Sequence, residues 1–225
     1  RKTKEAVQGA IYILPSFVLI LIFCIIPIFM SGYFSFTEYN IMNSPKFVGL
    51  DNYIKMFKDS YVTDAAKNTL LYVVMTVPVQ TILALAFAAF LAAKIQNKKG
   101  EFLRSVMFIP VIASAVTAGT VWRIILNTDG GFLNNILNFF HISSVNWLGS
   151  TKTSLLSICI VAVWKNVGYF LVIYYAGIMG IQKDLYEAAR VDGANKFQQL
   201  RHIILPGIST ILGLQLFLSI TGALL

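Results

Sequence analysis

AIYILPSFVLILIFCIIPIFMSGYFSF, Ala10 to Phe36, contains no charged side chain from end to end. A bilayer core of roughly 30 Å takes about 20 helical residues to cross, so this stretch is long enough to span. Four further apolar runs follow it: Leu70 to Ala93 around Pro78, Val106 to Leu126 with Pro110 and Arg123, Leu155 to Ile181 with Lys165, and Ile203 to Leu225. Proline inside a spanning helix is tolerated because neighbours or water satisfy the freed carbonyl. The pattern predicts an all-α fold: residues 1–225 as one transmembrane helical bundle of about five spans (10–36, 70–93, 106–126, 155–181 and 203–225).

A secretory signal peptide is the other reading of the first run, since RKTK precedes it. Such apolar regions are usually about 7–15 residues long with small residues at a cleavage site. This run is much longer and continues into SFTEY, which favours a retained helix.

Composition agrees. Hydrophobic residues make up 57% of the chain and charged residues only 12%, about half the usual charged fraction. Lipid in place of water around much of the surface accounts for the deficit. Cys24 and Cys159 both lie in apolar runs and read as small buried hydrophobes rather than a disulfide framework. His141 and His202 are far apart, so no metal site is expected.

The net charge of +8 is a matter of topology. With a cytoplasmic N-terminus, the inner segments 1–4, 94–104 and 182–202 hold eleven Lys and Arg, while the longer outer loops hold five. Basic residues concentrate on the cytoplasmic side of membrane proteins, so this orientation is expected, and nucleic acid is not an expected partner. The outer loops, Glu38–Asn68 with FVGLDNYIKMF and Asn127–Thr153 with GGFLNNILNFF and NWLG, read as short interfacial helices.

One polar stretch interrupts this pattern: YEAARVDGANKFQQLRHIILP, Tyr186 to Pro206. Asp184 with Glu187 three residues later has the form of a capping box, predicting a helix Leu185–Val191. Gly193 supplies the positive φ that ends helices, and Asn195 with Gln198 predicts a second start. Two short helices at a glycine turn suit docking by a soluble partner. They equally suit a solvated connector between two spans.

The segment resembles the cytoplasmic signature of ATP-binding-cassette importer permeases: Glu187-Ala188-Ala189, three residues, Gly193, nine residues, then Ile203-Ile204-Leu205-Pro206. Asp192 and Ala194 complete the D-G-A form of the sugar branch. ILPSFVLILIFCIIPI, FSFTEYN, FVGLDNY, FLRSVMFIPV, VWRIIL and LYEAARVDGANKFQQL are similar to successive blocks of the oligosaccharide permeases, the maltose and multiple-sugar kind. The resemblance implies a coupling helix within residues 182–206 that seats on a cytoplasmic ATPase subunit and drives alternating access. Glu187 would then pair with a basic group on the ATPase, Gly193 would set the turn, and Ala188 and Ala189 would allow close packing. Asp192, Phe197, Leu200 and Pro206 would shape the segment. The implied partners are two ATPase subunits that bind ATP and Mg, a second homologous permease subunit, and an extracytoplasmic sugar-binding protein, in a bacterial or archaeal cell membrane. Family members carry about six spans, so a sixth helix and a short tail are expected beyond Leu225.

The chain has no G-x-x-x-x-G-K-[ST] and no nucleophile–base set, so neither catalysis nor a cofactor of its own is expected. Ionisable groups inside a membrane are costly and usually functional. Lys165, with Trp164, Asn166 and Tyr169, is therefore the candidate substrate contact; alternatively, Lys165 snorkels or pairs with a carboxylate or backbone carbonyl. Arg123, near a helix end, reads as a snorkelling side chain. Gln80, Gln215 and Thr221 suit hydrogen bonds between helices as well as sugar binding. A secondary transporter would need intramembrane carboxylates, and the five runs hold no Asp or Glu. An importer for another solute, such as glycerol phosphate, and a non-transporting scaffold are the remaining rivals.

Overall fold

A computed structural model of the chain describes residues 2–40 and 42–224. The chain forms two compact units, residues 1–66 and 67–225. The first opens with α1 (Lys2–Ile20), which passes through a π-helical turn at Leu21–Ile25 into α2 (Ile26–Ser35). Pro27 explains the widened turn: its ring would clash with the carbonyl four residues back, and a π turn moves that carbonyl aside. Cys24 lies exposed on this turn rather than buried as expected, because its face of the helix lacks neighbours from its own unit. Beyond α2, β1 (Thr37–Glu38) pairs antiparallel with β2 (Lys46–Phe47), Thr37 opposite Phe47. Helix α3 (Asp51–Lys58) is tied back to α2 through side chains. Asn52 Nδ2 donates to Ser35 O at 3.0 Å and to Thr37 O at 2.9 Å, and Tyr53 OH donates to Ser35 Oγ at 2.8 Å. The FVGLDNY block thus fastens the loop after α2 to the end of that helix.

Helix α4 (Ser60–Lys94) leads into the second unit and starts well before the predicted Leu70. It is followed by α5 (Lys98–Ile112), α6 (Ala115–Ile125), α7 (Phe132–Phe139) and α8 (Ser154–Met179). The chain continues through α9 (Lys183–Val191), α10 (Lys196–Gln199), a π turn at Leu200–Ile204, α11 (Leu205–Gly207) and α12 (Ser209–Leu224). Short helices do occupy both loops expected on the outer side, as α3 and α7. The basic residues Lys98, Lys99 and Arg104 lie on α5, leaving only residues 95–97 as the connection between α4 and α5.

Among the described residues, three helical stretches are long and apolar enough to cross a membrane, Gln8–Ser35, Ser60–Lys94 and Ser154–Met179. The predicted third and fifth spans are each broken. The third bends by 97° between α5 and α6, and the fifth by 72° between α11 and α12. The first break does not fall at Pro110. It falls at Ala113 and Ser114, both extended, where Ser114 Oγ accepts from Thr117 N at 3.1 Å and starts a new helix. The second follows Pro206-Gly207, and a π turn again precedes the proline.

Buried side chains join α4 to α8: Ala84, Ala88, Leu91 and Ala92 meet Val167, Phe170, Leu171, Tyr174 and Ile178, with Ile204 and Ile208 alongside. On each helix these positions recur at three- and four-residue steps, one helical face. The alanines of α4 keep that face flat. Against the other side of α8 lies α5, and the contact depends on Gly168. A Cβ there would overlap the carbonyl of Met107. The loop between α6 and α8 is organised by Asn134, buried on α7. Its Nδ2 donates to Asn127 O, Thr128 O and Val145 O at 2.9–3.2 Å, and its Oδ1 accepts from Val145 N and Trp147 Nε1, each at 3.0 Å.

Gly168→Ala should push α5 off α8 and cost about 1–3 kcal/mol. Gly119→Ala, where an added Cβ meets nothing within 4 Å, should be near neutral. Thermal unfolding of the two variants in detergent checks the difference.

Candidate functional site

The polar segment folds as the glycine turn predicts, with one change at its start. Helix α9 begins at Lys183 with Gln182 as N-cap and no side-chain cap bond. The predicted Asp184–Glu187 capping box is not formed, because Asp184 already lies inside the first turn. At the other end, Gly193 has φ +71°. Ala194 N donates to Ala189 O at 2.8 Å and Gly193 N to Arg190 O at 3.1 Å. This is the paired-bond ending that glycine permits by entering the left-handed region. Asn195 then forms the full capping box. Its Oδ1 accepts from Gln198 N at 2.9 Å, and its N donates to Gln198 Oε1 at 2.7 Å. Gln199, buried, donates from Nε2 to Ala194 O at 3.0 Å and closes the turn from inside.

The turn gives α9 two faces. Lys183, Tyr186, Glu187 and Arg190 look into a cleft against the ends of α4 and α8. Leu185, Ala188, Val191 and Asp192 point away and are exposed, Leu185 at 51% and Val191 at 88%. Ala189 is half-buried and Gly193 exposed. Phe197 is 68% exposed, Leu200 is half-buried and Pro206 is exposed. Apolar tips such as Leu185 and Val191 on a polar segment suit a protein contact. Glu187 is exposed, but it stands on the cleft face rather than on the outer face with Ala188.

The predicted group on α8 divides among different neighbours. Lys165 Nζ donates to Ala113 O at 2.9 Å and to Pro110 O and Val111 O at 3.4 Å. It therefore caps the C-terminal end of α5, where the break leaves carbonyls without helical partners and the helix dipole is negative. Trp164 meets Trp122 edge to face, ring centroids 5.5 Å apart. Both rings line a cavity of about 820 Å³ between α4, α5, α6 and α8. Met75, Leu83, Phe87 and Val106 make its wall almost wholly apolar, which gives a polyol few hydrogen-bond partners. Asn166 and Tyr169 lie off this cavity, Asn166 half-buried and Tyr169 exposed beside Phe170. Of the intramembrane polar residues, Thr221 Oγ1 donates back to Phe217 O at 2.9 Å, and Gln215 Nε2 donates to Ser219 Oγ at 3.0 Å. Gln80 Oε1 is buried without a hydrogen-bond partner. Arg123 lines a smaller cavity with Thr120, Asn127 and Thr128.

Residues 60–225 match the family described as binding-protein-dependent transport system inner membrane component. The chain belongs to this family. The permease is 34% identical over 216 residues to a probable ABC transporter permease, YurN of Bacillus subtilis, covering 95% of this chain and 74% of YurN. It is 31% identical to the trehalose/maltose transport system permease MalF of Thermococcus litoralis, covering 99% and 75% of the two chains. It is 29% identical to a probable starch degradation products permease, AmyD of Thermoanaerobacterium thermosulfurigenes, covering 98% and 74%. Its fold is that of a chain in the crystal structure of a bacterial alginate ABC transporter in complex with an alginate pentasaccharide-bound periplasmic protein. The TM-score is 0.85 at 22% identity, covering 97% of the permease and 73% of that chain.

Three residues of the permease escaped the sequence reading. Ser114 looked like one small polar residue in an apolar run, although Ser-x-x-Thr at a helix start is a cap signal. Gln199 and Asn134 act through carbonyls distant enough in the chain, or in irregular enough loops, that no periodicity marks them.

Lys165→Met should leave the α5 carbonyls unpartnered and cost about 1.5–3 kcal/mol, whereas Lys165→Arg should retain most of the stability. Melting temperature read beside the KM of uptake separates the roles. A cap lowers the melting temperature, and a substrate contact raises KM alone.

Proposed function

We propose that this permease is the membrane-spanning subunit of an ATP-driven importer of a sugar, an oligosaccharide in particular. An extracytoplasmic binding protein delivers the substrate to the outer loops, and the N-terminus and the α9–α10 turn lie in the cytoplasm. A second, homologous permease subunit completes the pathway. Two ATPase subunits hold ATP and Mg, and each permease subunit meets one of them through its turn. The observation that carries this reading is the rigid α9–Gly193–α10 turn, which presents Leu185, Ala188 and Val191 outward beyond the ends of the spans. The resemblance of this turn to the importer signature and the sugar-permease names among the relatives support it.

The mechanism follows from the turn's stiffness. Closed by the bonds of Ala194, the Asn195–Gln198 box and Gln199, the turn transmits a push as a unit instead of absorbing it in loop motion. Leu200 and Ile204 continue from it into α11 and α12, beside the core shared by α4 and α8. Displacement of α9 by ATPase closure is thereby handed to the bundle, which alternates between inward- and outward-facing states. Ala188 and Ala189 leave room for close approach, Asp192 and Gly193 end the helix, and Phe197 and Pro206 set the path back to the membrane. For the substrate pathway, Trp164, Lys165, Asn166 and Tyr169 remain the proposed contacts, as separate points along α8 rather than one pocket, with Lys165 also holding the α5 end.

In proteoliposomes containing the assembled transporter and its binding protein, the cognate sugar should stimulate ATP hydrolysis and uptake together. A panel of sugars with no stimulation overturns the substrate class. Ala188→Trp should reduce co-purified ATPase at least about tenfold, because a bulky ring on the outer face blocks an interface where single contacts carry a few kcal/mol, while membrane insertion persists. Full coupled transport by that variant refutes the docking role.

A further inference from the structure

The inner face of α9 rests on the spans through Tyr186, which packs against the core shared by α4 and α8. Beside that contact a cleft of about 640 Å³ opens between α9 and the C-terminal ends of α4 and α8. Its lining is of two kinds. Phe90, Ala93, Met179, Ile181 and Ile204 give it an apolar wall. Lys94, Lys183, Arg190 and Lys196 give four cations against the single carboxylate of Glu187, a surplus of three positive charges. Tyr186 also lines it, and its hydroxyl oxygen is buried without a hydrogen-bond partner. Burial holds that phenol above its ordinary range, so it stays a neutral O–H donor without an acceptor.

Each part narrows the occupant. A small soluble anion would satisfy the cations but leave the apolar wall wet. An apolar peptide would cover the wall but strand Lys94, Lys183 and Arg190. An amphiphile with an anionic head and aliphatic tails satisfies both, and the cleft lies where two spans end, at the depth where a lipid head group meets its chains. Basic pockets between helices on the cytoplasmic side are suited to such head groups. A phosphate oxygen would also accept the orphaned Tyr186 O–H.

We propose that this cleft binds an anionic phospholipid, its phosphate held by Lys94, Lys183 and Arg190 and its upper acyl chain against Phe90, Met179 and Ile204. Assignment to the cytoplasmic leaflet rests on the orientation proposed above; binding itself does not. The lipid would fill the space behind α9 while leaving Leu185, Ala188 and Val191 free on the opposite face. Membrane composition would thereby tune how firmly the turn is backed when a partner pushes on it.

The test is native mass spectrometry of the detergent-solubilised transporter after exchange into mixed micelles of phosphatidylglycerol and phosphatidylcholine. The wild-type complex should retain phosphatidylglycerol preferentially. Lys94→Gln with Arg190→Gln should cut that retention by about tenfold or more, since each basic side chain near a membrane surface contributes on the order of 1 kcal/mol. Lys94→Arg with Arg190→Lys should restore it. Ala93→Phe, which fills the cleft without changing charge, should also expel the lipid and thereby separates occupancy from a general fall in net charge. Equal retention of the two lipids overturns the proposal, as does retention unchanged in both the charge-removing and cleft-filling variants. Displacement of the lipid by millimolar inorganic phosphate would show a free-anion site instead. A cross-link from a cysteine at Ala93 to an ATPase subunit or to another part of the chain would show a protein occupant. Sugar uptake plays no part in these readouts, so they fail or succeed independently of the substrate.

Discussion

Lys165 Nζ, 2.9 Å from the carbonyl of Ala113, answers a demand that lipid imposes on the whole bundle. In hydrocarbon there is no water to satisfy a backbone carbonyl, so every helix end at membrane depth needs a protein partner. The 97° bend between α5 and α6 creates such an end. Ser114 satisfies one donor of α6, the amide of Thr117, and Lys165, reaching from α8, meets the carbonyls of Pro110, Val111 and Ala113 at the end of α5. The reach exists because Gly168, one turn along α8, lets the α5 backbone come into direct contact near Met107. Glycine, lysine and serine thus form one device: close approach, cation on carbonyls, and a restarted helix. The charge that looked costly in the middle of a span is held where a helix terminus is most negative.

The same accounting of backbone groups shapes the polar turn, but there the solution is local. Gly193 allows the paired carbonyl bonds that close α9, Asn195 and Gln198 satisfy the donors that open α10, and Gln199 fastens Ala194 from the buried side. With its backbone satisfied in so few residues, the turn is free to place side chains on two unlike faces. One is exposed and partly apolar, and the other is basic and turned toward the span ends. A helix that serves two neighbours explains why Glu187 and Ala188, adjacent in sequence, look in different directions.

Much of this was legible in the residues. Runs of apolar residues long enough to span announce the membrane, and turn residues such as Gly193 and Asn195 act through neighbours one to four positions away, so their effects are written locally. The signature spacing from Glu187 to Pro206 agrees with the family to which residues 60–225 belong. The capping box at Asp184 failed for an equally local reason: the helix starts two residues earlier than the polar pattern implies, and Gln182 takes the cap position. The broken spans were not legible, because mean apolarity is the same for a straight helix and a bent one.

The sequence by itself therefore determined which segments are apolar enough to lie in lipid and where the polar turn bends and ends, at Gly193 and the Asn195 cap, since both follow from composition and short-range hydrogen bonding. Only the tertiary structure decided that Lys165 meets the carbonyls at the end of α5, that Trp164 faces Trp122, and that α9 packs on the spans through Tyr186 beside a basic cleft. Those outcomes rest on contacts between residues as much as 55 positions apart. In a membrane, where both partners of such a contact sit in uniformly apolar stretches, it is the packing of one helix on another that brings them together.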